Sequence, residues 1–209
     1  MILIKTTSFT ICCLVVTFLA FSAAATQQSP YVILENTTKS LFNKMASLSK
    51  EQRQDHEMMR SIVEQELFPV LDYEYASFKI LGSNIKHSTK EQRVQFVEVM
   101  RENLLQTYTT ALSAYENQQV LFEPAGKLTN ARIVTVRAKI VDTVAPAINL
   151  HFKLRQNKQS MEWKIFDLTV EGISLLTSKR SEVSSQIRKV GLDGLIDILK
   201  EKNKARQPI

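Results

Sequence analysis

Two carboxylates, Asp167 and Glu171, share one side of a stretch that alternates apolar and polar residues. A pair of carboxylates in one site can do general acid and base work. Both sit opposite the apolar residues Phe166, Leu168 and Val170. The alternation therefore favours hydrogen bonding at the surface or strand end over catalysis. The three histidines, His56, His87 and His151, form no pair at metal-ligand spacing, so no metal site is expected. Gly191-Leu-Asp-Gly194 follows an amphipathic helical pattern instead of a strand, and Gly172-Ile-Ser174 lacks the second glycine of a nucleophile elbow. Each reads as a turn or a cap, and no catalytic residue is assigned. Trp163 and Tyr108 could flank a ligand, although single aromatics at core spacing are usually core. Arg101 falls on the inner stripe of a long helical pattern. A guanidinium held there must find an anion, either a neighbouring carboxylate or a bound phosphate, and the carboxylate is the favoured partner.

The elements that would position these residues are legible from periodicity. Val134, Val136, Ala138 and Ile140 alternate with Thr135, Arg137 and Lys139 over 132–142, and Ile148, Leu150, Phe152 and Leu154 repeat the pattern over 147–155. The stretch 163–171 gives a third strand, and Val120 to Glu123 a short edge strand before the turn over 124–129. Gly172 is expected to turn the third strand straight into a helix over 174–189, which Gly191 ends before a last helix through Leu192, Leu195, Ile196 and Leu199. Upstream, Ser29-Pro30 starts a helix to about Leu48, with Leu34, Leu41, Met45 and Leu48 inward. The polar run Ser49 to Gln54 ends it. A second helix begins near Asp55 and is stopped at Pro69. Asp72 to Leu81 forms the next, closed by Gly82. Ser88-Thr-Lys-Glu91 reads as a capping box for a helix to about Tyr115 that turns Val97, Arg101, Leu104, Tyr108, Ala111 and Tyr115 inward. Helices over one face of a twisted, four-stranded antiparallel sheet make an α+β fold.

Lys5, the apolar run from Ile11 to Phe21 and Ser22-Ala23-Ala24-Ala25 make a signal peptide, with residues 1–25 removed after Ala25. The run is too short to span a bilayer, for which about 20 residues are needed. Both cysteines, Cys12 and Cys13, belong to that segment. The exported chain, 26–209, therefore relies on its core without disulfides, and about 180 residues suffice for one domain. The last residues, Glu201 to Ile209, read as a polar tail. The formal net charge of +6 includes Lys5, and the remaining cations are scattered along helices and strands. Export and that scatter make nucleic acid a poor partner.

The pattern Trp163, Asp167, Glu171, Gly172 and Ser174 resembles the MlaC family of periplasmic phospholipid carriers, also described as toluene-tolerance proteins. So do Ile62-Val63 through Glu66-Leu67, Pro69, Asp72, Leu81-Gly82 and the closing Gly191, Leu192, Asp193 and Gly194. These segments span nearly the whole exported chain in family order. The resemblance implies a periplasmic shuttle that encloses phospholipid acyl chains between sheet and helices, leaving the head group in water. It also implies partners in an inner-membrane ABC transporter complex and an outer-membrane lipoprotein complex, with phospholipid as cargo and no cofactor. We expect the chain to act as a monomer. The lining expected on this basis is Val134, Val136, Ile148, Leu150, Phe152, Phe166, Leu168 and Val170 from the sheet, with Leu81, Leu104, Tyr108 and Ile173 from the helices. Two readings compete. One is an adaptor with a filled core; the other is an enzyme of the steroid-isomerase-like group using Asp167 or Glu171, which needs a carboxylate facing an apolar pocket.

Overall fold

The computed structural model describes residues 28–115, 118–128, 131–142 and 145–205. The leader expected at 1–25 lies outside them. Among the described residues four α-helices precede the long central one. Helix α1 is Pro30–Ala46, with the Ser29 side chain accepting from the Tyr31 N–H (3.3 Å) and proline in its first turn. The polar run expected as a linker is itself a short helix, α2 (Lys50–Gln54), because Ser49 and Gln52 close a capping box around it. Helix α3 (His56–Glu66) is capped by Asp55 and gives way to a 3₁₀ turn, Phe68–Val70, around Pro69. The chain then touches the sheet, as Leu71 pairs with Ile165 and the Asp72 N–H donates to the Ile165 carbonyl at 2.7 Å. Asp72 next caps α4 (Tyr73–Leu81) by accepting from the Tyr75 N–H. Gly82 closes α4 with φ +58, a backbone conformation that requires glycine, and a Cβ there would in addition push the Arg180 guanidinium aside.

Helix α5 spans Lys90–Ser113, and its capping box is Thr89 with Gln92, one residue later than the sequence suggested. Ser88 instead donates to the Ile85 carbonyl and accepts from Arg93 Nε. The buried face of α5 also differs from expectation: Phe96, Val99, Met100, Asn103, Leu105, Gln106 and Thr109 are buried. Three buried members, Asn103, Gln106 and Thr109, are polar, which hid the stripe from a hydrophobicity count. Asn103 and Gln106 bind Asn203 at the far end of the chain, and Asn203 in turn donates to the Val99 carbonyl. The expected polar tail is thus helical as far as Ala205 and pinned to α5 at Asn203.

Among the described residues the sheet has five strands in meander order, all antiparallel, instead of four: β1 (Gln119–Phe122), β2 (Ile133–Val141), β3 (Ile148–Gln156), β4 (Trp163–Val170) and β5 (Ile173–Ser174). Glu171 (φ +46) and Gly172 (φ +81) form a two-residue hairpin between β4 and β5, the geometry that suits right-twisted strands. Only after β5 does α6 (Leu175–Ala205) begin, with the Ser174 hydroxyl accepting from the Thr177 N–H. Gly191 (φ +75) breaks α6 into two segments.

Directly opposed residues share a sheet face. Val136 faces Phe152, Ala138 faces Leu150 and Val134 faces Leu154, so one face of β2 and β3 is apolar as expected. A register shift lies between Lys153 and Leu154, which face Asp167 and Ile165, leaving Phe166 as the extra residue of a β-bulge. Leu168 and Val170 therefore share the inner face with Ile165 and Trp163. That face packs on α1, α3 and α5 through Leu34, Val63, Leu105, Val136, Leu154 and Ile165. A second apolar cluster, with Ile80, Phe96, Met100, Val183 and Ile196, joins α4, α5 and α6.

Candidate functional site

Where these two clusters meet, α4, α5, the start of α6 and β4 surround a hollow of about 290 Å³. Its position follows from the edge of β4. Leu71 pairs with that edge at Ile165, and β5 pairs with it at Thr169 and Val170. Between these contacts, Phe166 to Leu168 have no strand partner on that edge among the described residues. The hollow opens along this gap, bounded by Leu71, Ala76 and Ile80 on one side and Leu104, Tyr108, Leu175 and Leu176 on the other.

Of the twelve residues expected to line a lipid site, Leu104, Tyr108, Phe166 and Leu168 line this hollow. Leu81 and Val136 are fully buried in the two packed clusters, and Leu150 is nearly so. Val134 and Phe152 pack against the sheet-side cluster, and Phe152 lies 6.5 Å from the Phe122 ring. Val170 is half-buried opposite Leu150. Ile148 lines a separate surface hollow with Phe42, Leu112 and Tyr115. Ile173 is 62% exposed, because the hairpin at Glu171-Gly172 carries it away from the layers. The sequence reading missed Leu71, Ile165, Leu175 and Leu176. Ile165 was hidden by the bulge, which changes the phase of β4 between Ile165 and Leu168. Leu71 was hidden because a single bridge leaves no alternating pattern.

Asp167 lies on the outer face, as the alternation indicated, yet it is only 6% exposed because the start of α6 covers it. Its carboxylate accepts from the Ser174 hydroxyl (2.9 Å), the Leu176 N–H (3.2 Å) and Lys153 Nζ (3.2 Å). Asp167 ties β3, β4 and α6 together. Glu171 has a similar task at the hairpin tip, where it accepts from the backbone and side-chain N–H groups of Asn149. The two acids therefore hold the turn in place and do not converge on a common substrate position.

Arg101 has the carboxylate partner expected for it, Glu64 on α3, and its guanidinium lies over the rings of Phe68 (5.1 Å) and Tyr73 (5.9 Å). At the rim of the hollow, Arg155 pairs with Asp72 and lies 4.0 Å from the Tyr75 ring, which meets Phe166 edge-on at 5.3 Å. Lys179, also at the rim, pairs with Glu182 at 2.7 Å. The Tyr108 phenol is pushed up to about 12 by burial and by the negative charge of Asp167. It stays a neutral donor at any physiological pH. Among the described residues no group of three His, Cys, Asp or Glu side chains converges as a metal site would need, and no helix is long and apolar enough to cross a membrane.

With this geometry in place, the chain can be set beside known proteins. The profile of the MlaC protein family matches residues 35–201. The intermembrane phospholipid transport system binding protein MlaC of Haemophilus influenzae is 34% identical over 204 residues, covering 96% of this chain and 94% of that protein. The toluene tolerance protein ttg2D of Pseudomonas putida is 25% identical over 175 residues, covering 81% and 79%. Among solved structures, the phospholipid-binding protein of Ralstonia solanacearum in complex with a phospholipid superposes with a TM-score of 0.74 at 20% identity, covering 84% of this chain and 97% of that one. That likeness speaks for the fold, while the family profile and the Haemophilus protein reach across nearly all of the sequence: this chain belongs to the MlaC family.

Proposed function

We propose that residues 26–209, freed of a leader at 1–25, form one phospholipid-carrying domain. It shuttles glycerophospholipid through the periplasm between an inner-membrane ABC transporter complex and an outer-membrane lipoprotein complex, and so helps to keep the outer membrane asymmetric. The observation that carries this reading is the hollow along the gap at Phe166 to Leu168 in the edge of β4, walled by apolar side chains from three helices and a strand. Family membership and the names of the relatives support it. The physical task is to hide acyl chains. Each methylene left in water costs about 0.8 kcal/mol, so ~30 methylenes carried bare would cost on the order of 20 kcal/mol. Transfer into an apolar wall removes most of that barrier without any covalent chemistry.

The contacts we propose for the cargo begin with Leu104, Tyr108, Phe166 and Leu168, joined by Leu71, Ile80, Ile165 and Leu175. Val134, Val136, Leu150, Phe152, Val170 and Leu81 form the packed walls behind them, reached only if the layers part. The enzyme reading is disfavoured because Asp167 already accepts three hydrogen bonds. Native mass spectrometry of the protein purified from the periplasm without detergent tests the proposal. Stoichiometric phospholipid is expected, and Leu168→Glu should lose it while remaining folded. A wild-type protein that carries no lipid and takes none from vesicles would overturn the carrier reading in favour of an adaptor.

A further inference from the structure

Tyr108 is half-buried by surface area, and it lines the hollow. Its hydroxyl makes no hydrogen bond to the described residues, so an apolar ligand that fills the hollow takes this phenol out of water and must offer it an acceptor. Its neighbours in the wall are already engaged. Asp72 binds Arg155, Asn103 binds Asn203, the Thr107 hydroxyl donates to the Asn103 carbonyl, and Asp167 binds Ser174, Leu176 and Lys153. The unmet donor of Tyr108 thus faces a volume that apolar side chains otherwise dominate. The ligand atom that satisfies it must be an acceptor carried at depth on an apolar chain.

Charge narrows the choice of acceptor. The charged residues lining the hollow are Asp72, Asp167, Glu182 and Lys179, and Lys179 is paired with Glu182. Asp72 is likewise paired with Arg155 and Asp167 with Lys153, so among the described residues no unpaired cation lines the hollow to hold a phosphate or a free carboxylate beside Tyr108. A carbonyl accepts the same hydrogen bond without bringing charge. Building on the carrier reading, we propose that the Tyr108 hydroxyl donates to an ester carbonyl of the bound lipid and so selects ester-linked acyl chains over ether-linked chains and free fatty acids. The glycerol end of the cargo then sits level with Tyr108, with the charged head group beyond it at the rim formed by Ser178, Lys179 and Glu182.

The test offers the purified protein vesicles containing equal amounts of ester-linked and ether-linked phosphatidylethanolamine with matched chains, then quantifies what it removes by native mass spectrometry. One neutral hydrogen bond of about 1 kcal/mol corresponds to roughly fivefold. The wild type is expected to favour the ester lipid by that factor, and Tyr108→Phe to take both lipids at a ratio near one. Equal uptake by the wild type, or an ester preference that survives in Tyr108→Phe, overturns the assignment; the wild-type ratio decides even if the variant does not fold. Oleate displacing the diester lipid at equal concentration also overturns it. Uptake of neither phospholipid removes the carrier reading itself, whereas uptake without preference removes only the role given to Tyr108.

Discussion

At the scale of single residues, two groups that look suited to chemistry are used for different physical ends. Asp167 is buried and satisfied, so Asp167→Ala removes the acceptor of the Leu176 N–H and the Ser174 hydroxyl and leaves Lys153 without its partner. A cost of about 2–3 kcal/mol is expected, lowering Tm by roughly 5–10 °C in a chain of this size. A Tm unchanged in calorimetry would show that the anchor is dispensable. Tyr108 gives a pH signature. Its folded pKa of about 12 lies above the unfolded value near 10, so the unfolded chain gives up its proton first as pH rises. The corresponding stability is intact below pH ~10 and is lost between about 10 and 12. Denaturant titrations above pH 10 should show a shallower loss for Tyr108→Phe than for the wild type, and parallel curves would contradict the burial of this phenol.

Elements are held to one another by a few polar contacts that break the hydrophobic pattern. Arg60 on α3 and Glu102 on α5 form a two-pronged pair at 2.6 and 2.8 Å, with both side chains about one-fifth exposed. The hydrogen bonds from Arg60 hold the Glu102 carboxyl below its ordinary range. Its folded pKa is depressed, so its contribution is present above the unfolded value near 4.5 and disappears as pH falls through the folded one. Arg60→Met should destabilise the protein at pH 7 by about 1–3 kcal/mol, and the difference from wild type should shrink in acid. A constant difference down to pH 2 would exclude this coupling. Such contacts also explain what the sequence made legible. Helix starts at Ser29, Asp55 and Asp72 were readable because a cap is local chemistry. The inner face of β2 and β3 was readable because an uninterrupted strand keeps its period of two. The face of α5 was not, since Asn103 and Gln106 are buried only by virtue of Asn203, about 100 residues away. Nor was the inner face of β4, since the extra residue at Phe166 shifts the phase of that strand and nothing in its composition marks the site. The four residues of the expected lining that border the hollow sit on α5 and on β4 from the bulge onward; the expectation of a hollow itself came from the family resemblance, since residues that line a cavity and residues that fill a core share one periodicity.

For the molecule as a whole, the capacity of the hollow decides how cargo is accommodated. A cavity of about 150 Å³ holds one benzene, so the 290 Å³ along β4 corresponds to roughly a dozen carbons. A two-tailed phospholipid brings ~30 methylenes, more than twice that. If the cargo is the two-tailed lipid proposed above, the walls must part for the second tail, and the fold shows where resistance is least. Along the edge of β4 the only pairings among the described residues are the bridge at Leu71 and the two-residue strand β5, whereas β3 holds the other edge along most of its length. The α4 side can thus move away from β4 by giving up the Asp72 N–H to Ile165 hydrogen bond, the Asp72–Arg155 pair and the contacts of Tyr75 with Arg155 and Phe166, while the meander of β1 to β4 stays intact. Hydrogen exchange measured with a single-chain lipid of about 12 carbons and with a two-chain phospholipid separates the cases. The short lipid should leave protection of the Asp72 amide and of α4 unchanged. The two-chain lipid should lower protection there and spare the amides shared by β2 and β3. Two-chain binding without any change at Asp72 would mean that the tails enter by parting the sheet from α1 and α3, the route that leads to Val134, Val136, Leu150 and Phe152 instead of the gap at Phe166.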